Sequence, residues 1–341
     1  GFAAHNQTQH QMQYGRFLLR RVFHSLFVIW GAATVVFMLR FLTPGDPVTA
    51  LAPPDAGDEV RAALEQRLGL DDPIHVQYFE YITDLMVGDF GKSMEVLDRS
   101  VLDWIFWTRF LRSIELAISA TVIAIAIAIP LGVISARRRH TVSDYSATLF
   151  SLGGISTPNF WLGLMLILLI SVPVGFIPTG TPGPLFHEAV GDLLAGDLST
   201  LGDWVRFMIL PAITLGTYFT ALLTRLTRSG MLEEIGKAYV KASRAKGLPE
   251  TLTMYRHVLR NTLIPIVTIL GLQLGTLIGG AIITETVFEW NGLGQLLIER
   301  INARDWTMIQ GIVIVIAIGF VSINTIVDLL YAYLDPRVMD E

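Results

Sequence analysis

The sequence has 341 residues, of which 52% are hydrophobic and only 16% charged, and its mean hydropathy is +0.53. This composition indicates an integral membrane protein. The net charge of −5 is too small to suggest nucleic acid as a partner, and the absence of cysteine excludes disulfides, thiolate metal sites and cysteine nucleophiles.

Residues 1–15 are polar, and they lack the layout of a cleaved signal peptide. We therefore predict a polar N-terminal tail followed by a first transmembrane helix at 16–42 that stays as an anchor. A helix that crosses about 30 Å of hydrocarbon needs about 20 mostly apolar residues. Six uncharged runs meet this need, at 21–40, 116–136, after Asp144, and at 207–224, 262–284 and 306–327.

The third run is ambiguous, because no charge occurs between Asp144 and Glu188 and this length would allow two helices. Its second half is rich in proline and glycine, which is typical of a helix that ends and an exit loop that follows. We predict one span here. The expected fold is therefore all-α with six transmembrane helices, five of them within 113–334, and a C-terminal tail at 335–341.

Basic residues cluster at the beginning of the first span (Arg16, Arg20 and Arg21), in the turn at 137–139 and in the loop at 229–262. With six spans, all three clusters fall on one side of the membrane, which the positive-inside rule identifies as the cytoplasm. We therefore expect both termini to be cytoplasmic. The acid-rich segment 43–112 and the loop 188–203 then lie on the extracytoplasmic side.

The extracytoplasmic segment 43–112 shows helical periodicity. Val60, Leu64 and Leu68 recur at helical spacing, and Asp72 followed by Pro73 is typical of an N-cap and first turn. The helix that these two residues would open carries one apolar stripe, formed by Ile74, Tyr78, Ile82 and Leu85. We expect short amphipathic helices in this segment.

The basic loop at 229–262 is predicted to fold as helix, sharp turn, helix. Gly247 occupies a position where a left-handed residue would end the first helix, and Pro249 suits the first turn of the second. One face of the first helix is apolar, with Ile235, Ala238, Tyr239, Ala242 and Ala245, and the cations Lys237, Lys241 and Arg244 lie on the other faces. Small alanines would let another protein approach closely, although the pattern also suits a helix lying on anionic lipid headgroups.

Ionisable residues near the span ends are candidates for function. For Glu115, Glu285, Arg225 and Arg228 we favour snorkelling or an interhelical bond. Asp328 is the exception, because it shares a polar seam with Asn324 inside the last span. We interpret this seam as a helix-packing feature before a substrate contact.

No cofactor is expected on this chain. Gly91-Lys92-Ser93 resembles the end of a phosphate-binding loop, but only two residues separate it from Gly88, where such a loop needs four. The histidines lack metal-ligand spacing, and no catalytic constellation of side chains can be argued. The sequence therefore predicts neither an ATPase nor another enzyme.

The basic loop and several other stretches together resemble the permease subunits of binding-protein-dependent ABC importers, in the dipeptide, oligopeptide and nickel branch. The loop contributes AYVKASRAKGLPE and RHVLRNTLIP. The other stretches occur in the family's order: LTPGDPV, LGLDDPIHVQYFEYITDLMVGDFGKS, IPLGVISARRR, ETVFEWNGLGQLLIERINARDW and VDLLYAYLDPRV. The resemblance extends from about Phe17 to Val338.

This resemblance implies a type I ABC importer permease in the cytoplasmic membrane of a prokaryote, one half of a translocation pore. Its partners would be a second, paralogous permease, two ABC ATPase subunits that bind ATP and Mg²⁺, an extracytoplasmic substrate-binding protein, and membrane lipid. The matching ATPase-docking element, the coupling loop, comprises Ala238, Tyr239, Lys241, Ala242, Ser243, Arg244, Ala245, Gly247, Leu248, Pro249 and Glu250. Lys241-Ala242-Ser243 replaces the family's Glu-Ala-Ala triplet, so its glutamate is absent.

Peptides are the cargo that the resemblance favours, although nickel chelates and oligosaccharides are carried by related systems. Two other classes remain open from the residues alone. A secondary transporter would need buried carboxylates or broken helices near the middle of the membrane. A membrane-embedded enzyme or a protein-translocation component would need a catalytic constellation or a different arrangement of loops.

Overall fold

The computed structural model describes residues 2–42, 48, 52, 55–67, 69–94, 100–175, 177, 178, 180 and 183–334. Within these residues every regular element is a helix, and the sole β-bridge pairs Lys92 with Ser100. The predicted all-α class is therefore confirmed. The predicted C-terminal tail at 335–341 and most of LTPGDPV lie outside the described residues.

The helices follow one another with short connections. They are α1 (Phe2–Leu42), α2 (Asp58–Arg67), α3 (Ile74–Met86), α4 (Val101–Trp104), α5 (Leu111–Arg137), α6 (Val142–Ser156), α7 (Asn159–Leu166), α8 (Val172–Val174), α9 (Phe186–Leu194), α10 (Ser199–Ile235), α11 (Ala238–Ala245), α12 (Glu250–Leu252), α13 (Leu259–Gly280), α14 (Ile282–Phe288), α15 (Leu293–Ala303) and α16 (Trp306–Leu334). Three π-helical segments join α4 to α5, α7 to α8 and α12 to α13, at Ile105–Phe110, Ile167–Ser171 and Thr253–Val258.

Four segments of the described chain are long and apolar enough to cross a membrane: Leu19–Leu42, Val101–Arg137, Ser199–Ile235 and Trp306–Leu329. Two bent pairs of helices also qualify, Val142–Ser156 with Asn159–Val174 and Glu250–Leu263 with Pro265–Gly275. The count is six if each bent pair forms one span. The cytoplasmic placement of the termini stays a prediction, and the helices extend past several predicted span limits because α1 begins at Phe2 and α10 at Ser199.

The third predicted span contains a bend of 106° that the sequence analysis did not predict. The bend follows Thr157, whose backbone is extended with φ −86° and ψ 123°. The next residue is Pro158, and the ring of a proline disfavours helical angles in the residue before it. Further along, Gly175 with φ 62° ends α8, as expected for a helix that terminates there.

The described residues form two compact units. One contains those of Gly1–Leu111 and Gly292–Ile326, and the other contains Arg112–Asn291 with those of Val327–Asp335. The first unit has two clusters of buried apolar side chains. One cluster joins α1, α3 and α16, and its buried members include Ala33, Val36, Trp306 and Ile309. The other joins α4, α15 and α16, and its buried members include Val101, Ile105, Leu293, Leu296 and Met308.

Asp305 is a buried carboxylate that begins α16. Its Oδ1 accepts the backbone N–H of Met308 at 3.2 Å, which is an N-cap bond, and also the N–H of Met94 at 3.1 Å. Its Oδ2 accepts the hydroxyl of Ser93. Ser93 is the last residue of Gly91-Lys92-Ser93, which resembles the end of a phosphate-binding loop. Its hydroxyl instead has a structural role, as the donor of a hydrogen bond to Asp305 within the first unit.

The predicted helix after Asp72 is present but begins later than expected. α3 starts at Ile74, Pro73 occupies the N-cap position, and no side chain caps it, so the assignment of Asp72 as the N-cap is wrong. Asp72 instead offers its backbone carbonyl to the side chain of Gln77 at 2.7 Å. The backbone carbonyl of Pro73 accepts the N–H groups of Val76 and Gln77, at 2.8 and 3.2 Å, which form the first turn of α3.

The second unit is built on close contacts between small residues. Its core contains a row of buried alanines on α5, namely Ala117, Ala120, Ala124 and Ala128. A Cβ placed on Gly216 of α10 would lie 2.8 Å from the backbone oxygen of Ala120, and one on Gly154 would lie 2.8 Å from Cβ of Ala221. Small residues at such positions let helix backbones approach closely, as is common between membrane helices. Gly153, by contrast, faces open space, so it does not contribute to this close approach.

Candidate functional site

The basic loop at 229–262 lies within the second unit, and its helix, turn, helix prediction is confirmed. α10 ends at Ile235, and α11 begins at Ala238 after a connection of two residues. α11 ends at Ala245, and Pro249 caps a helical segment that runs through the π-helical turns into α13. Pro249 therefore lies one position before the first helical residue, Glu250, rather than inside the first turn.

The turn between α11 and α12 is a Schellman motif centred on Gly247. The N–H of Leu248 bonds the carbonyl of Ser243 at 3.3 Å, and the N–H of Gly247 bonds that of Arg244 at 2.9 Å. Gly247 has φ +75°, the left-handed region that the sequence analysis predicted for it. A Cβ on Gly247 would meet nothing within 4 Å, so the requirement for glycine comes from the backbone angle alone.

α11 packs against the rest of the unit through Val240, and its predicted alanine face is exposed, as an approach by another protein requires. Val240 is fully buried, in a cluster with Val133 of α5, Met231 of α10, and Met254 and Val258 of the following segment. The alanines that were expected to form a common apolar face with Ile235 and Tyr239 are exposed: Ala238, Ala242 and Ala245. Val240 therefore anchors α11 to the unit, and the alanine stripe is left accessible to a partner.

Polar contacts hold α11 to its neighbours. The hydroxyl of Tyr239 donates to Glu234 Oε2 at 2.6 Å and accepts from the side-chain amide of Asn261 at 3.1 Å. Burial, and then the Glu234 carboxylate, raise the pKa of Tyr239 above its ordinary value. Lys237 pairs with the other oxygen of Glu234. Glu234 therefore ties the end of α10 to the beginning of α11.

A bidentate ion pair closes the other end of α11. Arg244 donates from Nε and Nη2 to the two carboxylate oxygens of Glu250, at 3.1 and 2.7 Å. The pair spans the Schellman turn and so links the last turn of α11 to the first residue of α12. Because both side chains are nearly half exposed, at 43% and 48%, the pair contributes little to global stability. Its effect is to fix the angle of the turn.

The outward surface of α11 is small and cationic. Ala238, Ala242 and Ala245 are exposed, and the exposed cations Lys241 and Lys246 flank them. Alanine side chains have no rotamers to restrict, so a partner can cover them without a loss of side-chain entropy. This surface could therefore enter a groove on another protein and pair with acidic side chains at its rim.

Asn324 and Asp328 both lie on α16, four residues apart and half buried. Oδ1 of Asn324 is buried and accepts no hydrogen bond from the described residues. The seam that the sequence predicted from these two residues stays a prediction.

Two other ionisable candidates have the interhelical bonds expected of them. Glu285 is fully buried, and its Oε1 accepts the hydroxyl of Ser113 at 2.6 Å. Oε1 of Glu115 accepts the backbone N–H of Phe186, the first residue of α9, at 2.7 Å. In the part of the chain that the structure describes, no group of three or more His, Asp or Glu could hold a metal ion.

Arg228 of α10 forms an ion pair with Asp144 of α6, which is an interhelical bond as expected, but the sequence analysis did not identify Asp144 as the partner. Arg228 donates to Oδ1 at 2.6 Å and to Oδ2 at 3.0 Å, and the same carboxylate accepts the hydroxyl of Ser135 and the N–H of His140. Only 4% of the Asp144 side chain is exposed. The sequence analysis used Asp144 only as the limit of an uncharged run. Its position shortly after the basic turn at 137–139 was the sequence signal for an ion pair.

Comparison with known proteins covers nearly the whole chain. Residues 128–340 match the family described as binding-protein-dependent transport system inner membrane component, and residues 14–110 match the N-terminal domain of such membrane components. The dipeptide transport system permease DppB of Escherichia coli strain K12 is 39% identical, over 95% of this chain and 98% of that protein. The oligopeptide transport system permease AppB of Bacillus subtilis strain 168 is 35% identical, over 94% and 98%.

One solved structure supports the fold. A chain of the MetNI methionine ABC transporter in an inward-facing conformation aligns with a TM-score of 0.51, over 68% of this chain and 97% of that chain. The sequence identity is 18%, so this likeness concerns the fold alone.

Proposed function

Because this chain belongs to the family of binding-protein-dependent transport system inner membrane components, we propose that it is the pore-forming permease subunit of an ATP-driven importer of di- or oligopeptides. The observation that carries the proposal is the 35–39% identity, over at least 94% of the chain, to permeases of dipeptide and oligopeptide systems. The protein is a multi-pass component of the cytoplasmic membrane and is not itself an enzyme.

The partners are an ATPase that supplies the energy and an extracytoplasmic protein that delivers the cargo. We further propose that two ATPase subunits bind ATP and Mg²⁺, and that a second, paralogous permease completes the pore. Docking of one ATPase is assigned to 238–250. In support of this assignment, the exposed surface of α11 is small and cationic, while its opposite face is anchored by Val240.

The coupling mechanism follows from how α11 is fixed. Val240 and Tyr239 hold it against α10 and α13, and the Arg244–Glu250 pair links it to α12, so a displacement of α11 is passed to these helices. α10 has 37 residues and is about 55 Å long at 1.5 Å per residue, so it reaches beyond the thickness of a bilayer core. Closure of the ATPase dimer would then move these helices as rigid bodies and switch the pore between inward and outward openings.

The function is tested by purifying the chain from its native membrane in mild detergent and identifying the proteins that accompany it. We expect an ATPase with a phosphate-binding loop, a second permease and an exported binding protein. The reconstituted complex should take up radiolabelled trialanine only when ATP is supplied. A chain that purifies alone and transports after reconstitution without ATP would be a secondary transporter, and the proposal would be wrong.

Ala242→Trp is expected to abolish co-purification of the ATPase and reduce ATP-driven uptake at least about tenfold, because an indole would fill the surface that the partner must cover. Ala242 is exposed, so the subunit itself should fold and insert normally. The matched control is Ala195→Trp, at an exposed alanine that ends α9 on the predicted extracytoplasmic side. Retention of the ATPase at wild-type stoichiometry would contradict the assignment, and stronger binding to anionic vesicles would favour the lipid-headgroup alternative.

A further inference from the structure

A cavity of about 300 Å³ lies between α5, α6 and α10 in the second unit. Its polar lining consists of the hydroxyl-bearing residues Ser135, Thr148, Ser151, Thr224 and Ser229 with Arg225 and Arg228, and Ala147 and Leu152 complete the wall. Its volume is at the lower end of the range of about 300–1,000 Å³ that is typical of small-molecule sites. The three helices belong to segments apolar enough to cross a membrane, where a cavity lined by arginines is unusual.

The lining of this cavity carries one uncompensated positive charge. Arg228 is neutralised by the bidentate contact with Asp144. Arg225 is exposed, and no carboxylate among the described residues lies within ion-pair distance of it. An ionisable side chain in a membrane-spanning helix usually faces a cavity or a partner rather than lipid. The net charge of +1 suits a ligand group with a single negative charge.

The hydrogen-bond donors point to the same kind of ligand. The hydroxyls of Ser151 and Thr224 donate to backbone carbonyls of their own helices, at 2.9 and 2.7 Å, so their protons are used. The hydroxyls of Thr148 and Ser229 have no hydrogen-bond partner within the described part of the chain. Together with the guanidinium of Arg225, these two hydroxyls offer several donors and no carboxylate, which is the complement of an oxyanion.

We propose that this cavity binds the C-terminal carboxylate of a peptide during its passage, with Arg225 as the charge partner and Thr148 and Ser229 as additional donors. The inference rests on the proposed function, and it adds a recognition step by the permease itself. An anionic lipid headgroup offers the same charge, and the mass spectrometry described below distinguishes such a lipid from a peptide.

The test measures equilibrium binding of trialanine and of its C-terminal amide to the nucleotide-free permease and ATPase complex, without binding protein, in nanodiscs of phosphatidylcholine. The wild-type complex is expected to prefer the free acid. Arg225→Gln should weaken binding of the acid about 10- to 100-fold, as for the loss of a charged hydrogen bond, and leave binding of the amide unchanged. Arg260→Gln is the control, because it removes an exposed cation that does not line the cavity.

Equal affinity of the wild type for acid and amide would overturn the proposal, as would an Arg225→Gln complex that keeps the preference. If Arg225→Gln does not assemble, Thr148→Val removes one donor at similar volume and should reduce the preference severalfold; an unchanged preference would overturn the proposal. Native mass spectrometry that finds phosphatidylglycerol on the wild type but not on Arg225→Gln, with no acid preference, would identify a lipid site instead.

The two proposals fail in distinguishable ways. A wild-type complex that takes up neither peptide in the presence of ATP and binding protein overturns the importer function, and this inference with it. Normal ATP-driven uptake together with no dependence of the acid preference on Arg225 overturns the carboxylate site alone.

Discussion

Gly247→Val is expected to reduce ATP-driven uptake at least about tenfold while the subunit still inserts and folds. The glycine has φ +75°, where an L-residue costs about 1–2 kcal/mol and a β-branched side chain more. Relief of this strain requires the backbone to leave the left-handed region, which breaks the Schellman bonds at 243–248. The exposed alanines of α11 would then point in a different direction relative to α12. Uptake and ATPase activity are measured on the same reconstituted complex.

Two control variants separate the turn from the loss of glycine as such. Gly247→Asn should keep at least half of the uptake, because asparagine tolerates the left-handed region better than other residues. Gly196→Val introduces the same kind of strain at φ +93°, also in open space, but in the connection between α9 and α10. Gly196→Val should keep the ATP-driven uptake of the wild type. Uptake that is unchanged in Gly247→Val would refute the assignment of this turn to coupling.

Asp144→Leu is expected to be the most destabilising single change considered, at about 3 kcal/mol. It leaves the Arg228 guanidinium without its partner and removes the acceptor of the Ser135 hydroxyl and the His140 N–H. Arg228→Met should cost less, because the carboxylate keeps those two donors. The double variant is expected to recover most of the loss, since an apolar pair can replace a buried ion pair at little cost. Thermal unfolding of the purified subunit measures all three.

The same helix provides the matched control. Asp203 and Arg206 of α10 form an ion pair at 2.9 Å, but their side chains are 50% and 37% exposed. Removal of either partner there should change stability by less than about 1 kcal/mol. Equal effects at the two pairs would mean that burial of Asp144 does not determine its contribution. If the destabilisation of the double variant equals the sum of the two single effects, Asp144 and Arg228 do not stabilise the protein through their interaction, and the prediction is wrong.

The features that could be predicted from the sequence are those set by local interactions. Apolar runs indicated the membrane helices, because the cost of polar groups in hydrocarbon acts on each segment separately. The turn at Gly247 was predicted for a similar reason, since only the backbone angle of one residue decides it. The bend after Thr157 has an equally local cause in Pro158. The sequence analysis instead assigned the end of the helix to the glycines and prolines at 173–184, which are more numerous.

Features that depend on distant residues could not be predicted. Asp144 and Arg228 are 84 residues apart, and nothing local to either marks the other. The anchoring of α11 by Val240 was not predicted either, because periodicity defines a stripe without identifying the distant residues that cover the other side of the helix. Val133, which helps to bury Val240, lies more than a hundred positions earlier in the sequence.

The contacts of Asp305 also set an order of events during synthesis. Ser93 and Asp305 are 212 residues apart, so at about 5–20 residues per second the ribosome needs roughly 10–40 s to reach the second partner. For that time the hydroxyl of Ser93 and the N–H of Met94 lack the carboxylate that accepts them in the finished protein. The early part of the first unit therefore depends on water, lipid headgroups or insertion factors to satisfy these donors. Its native arrangement is completed only when the start of the last helix emerges.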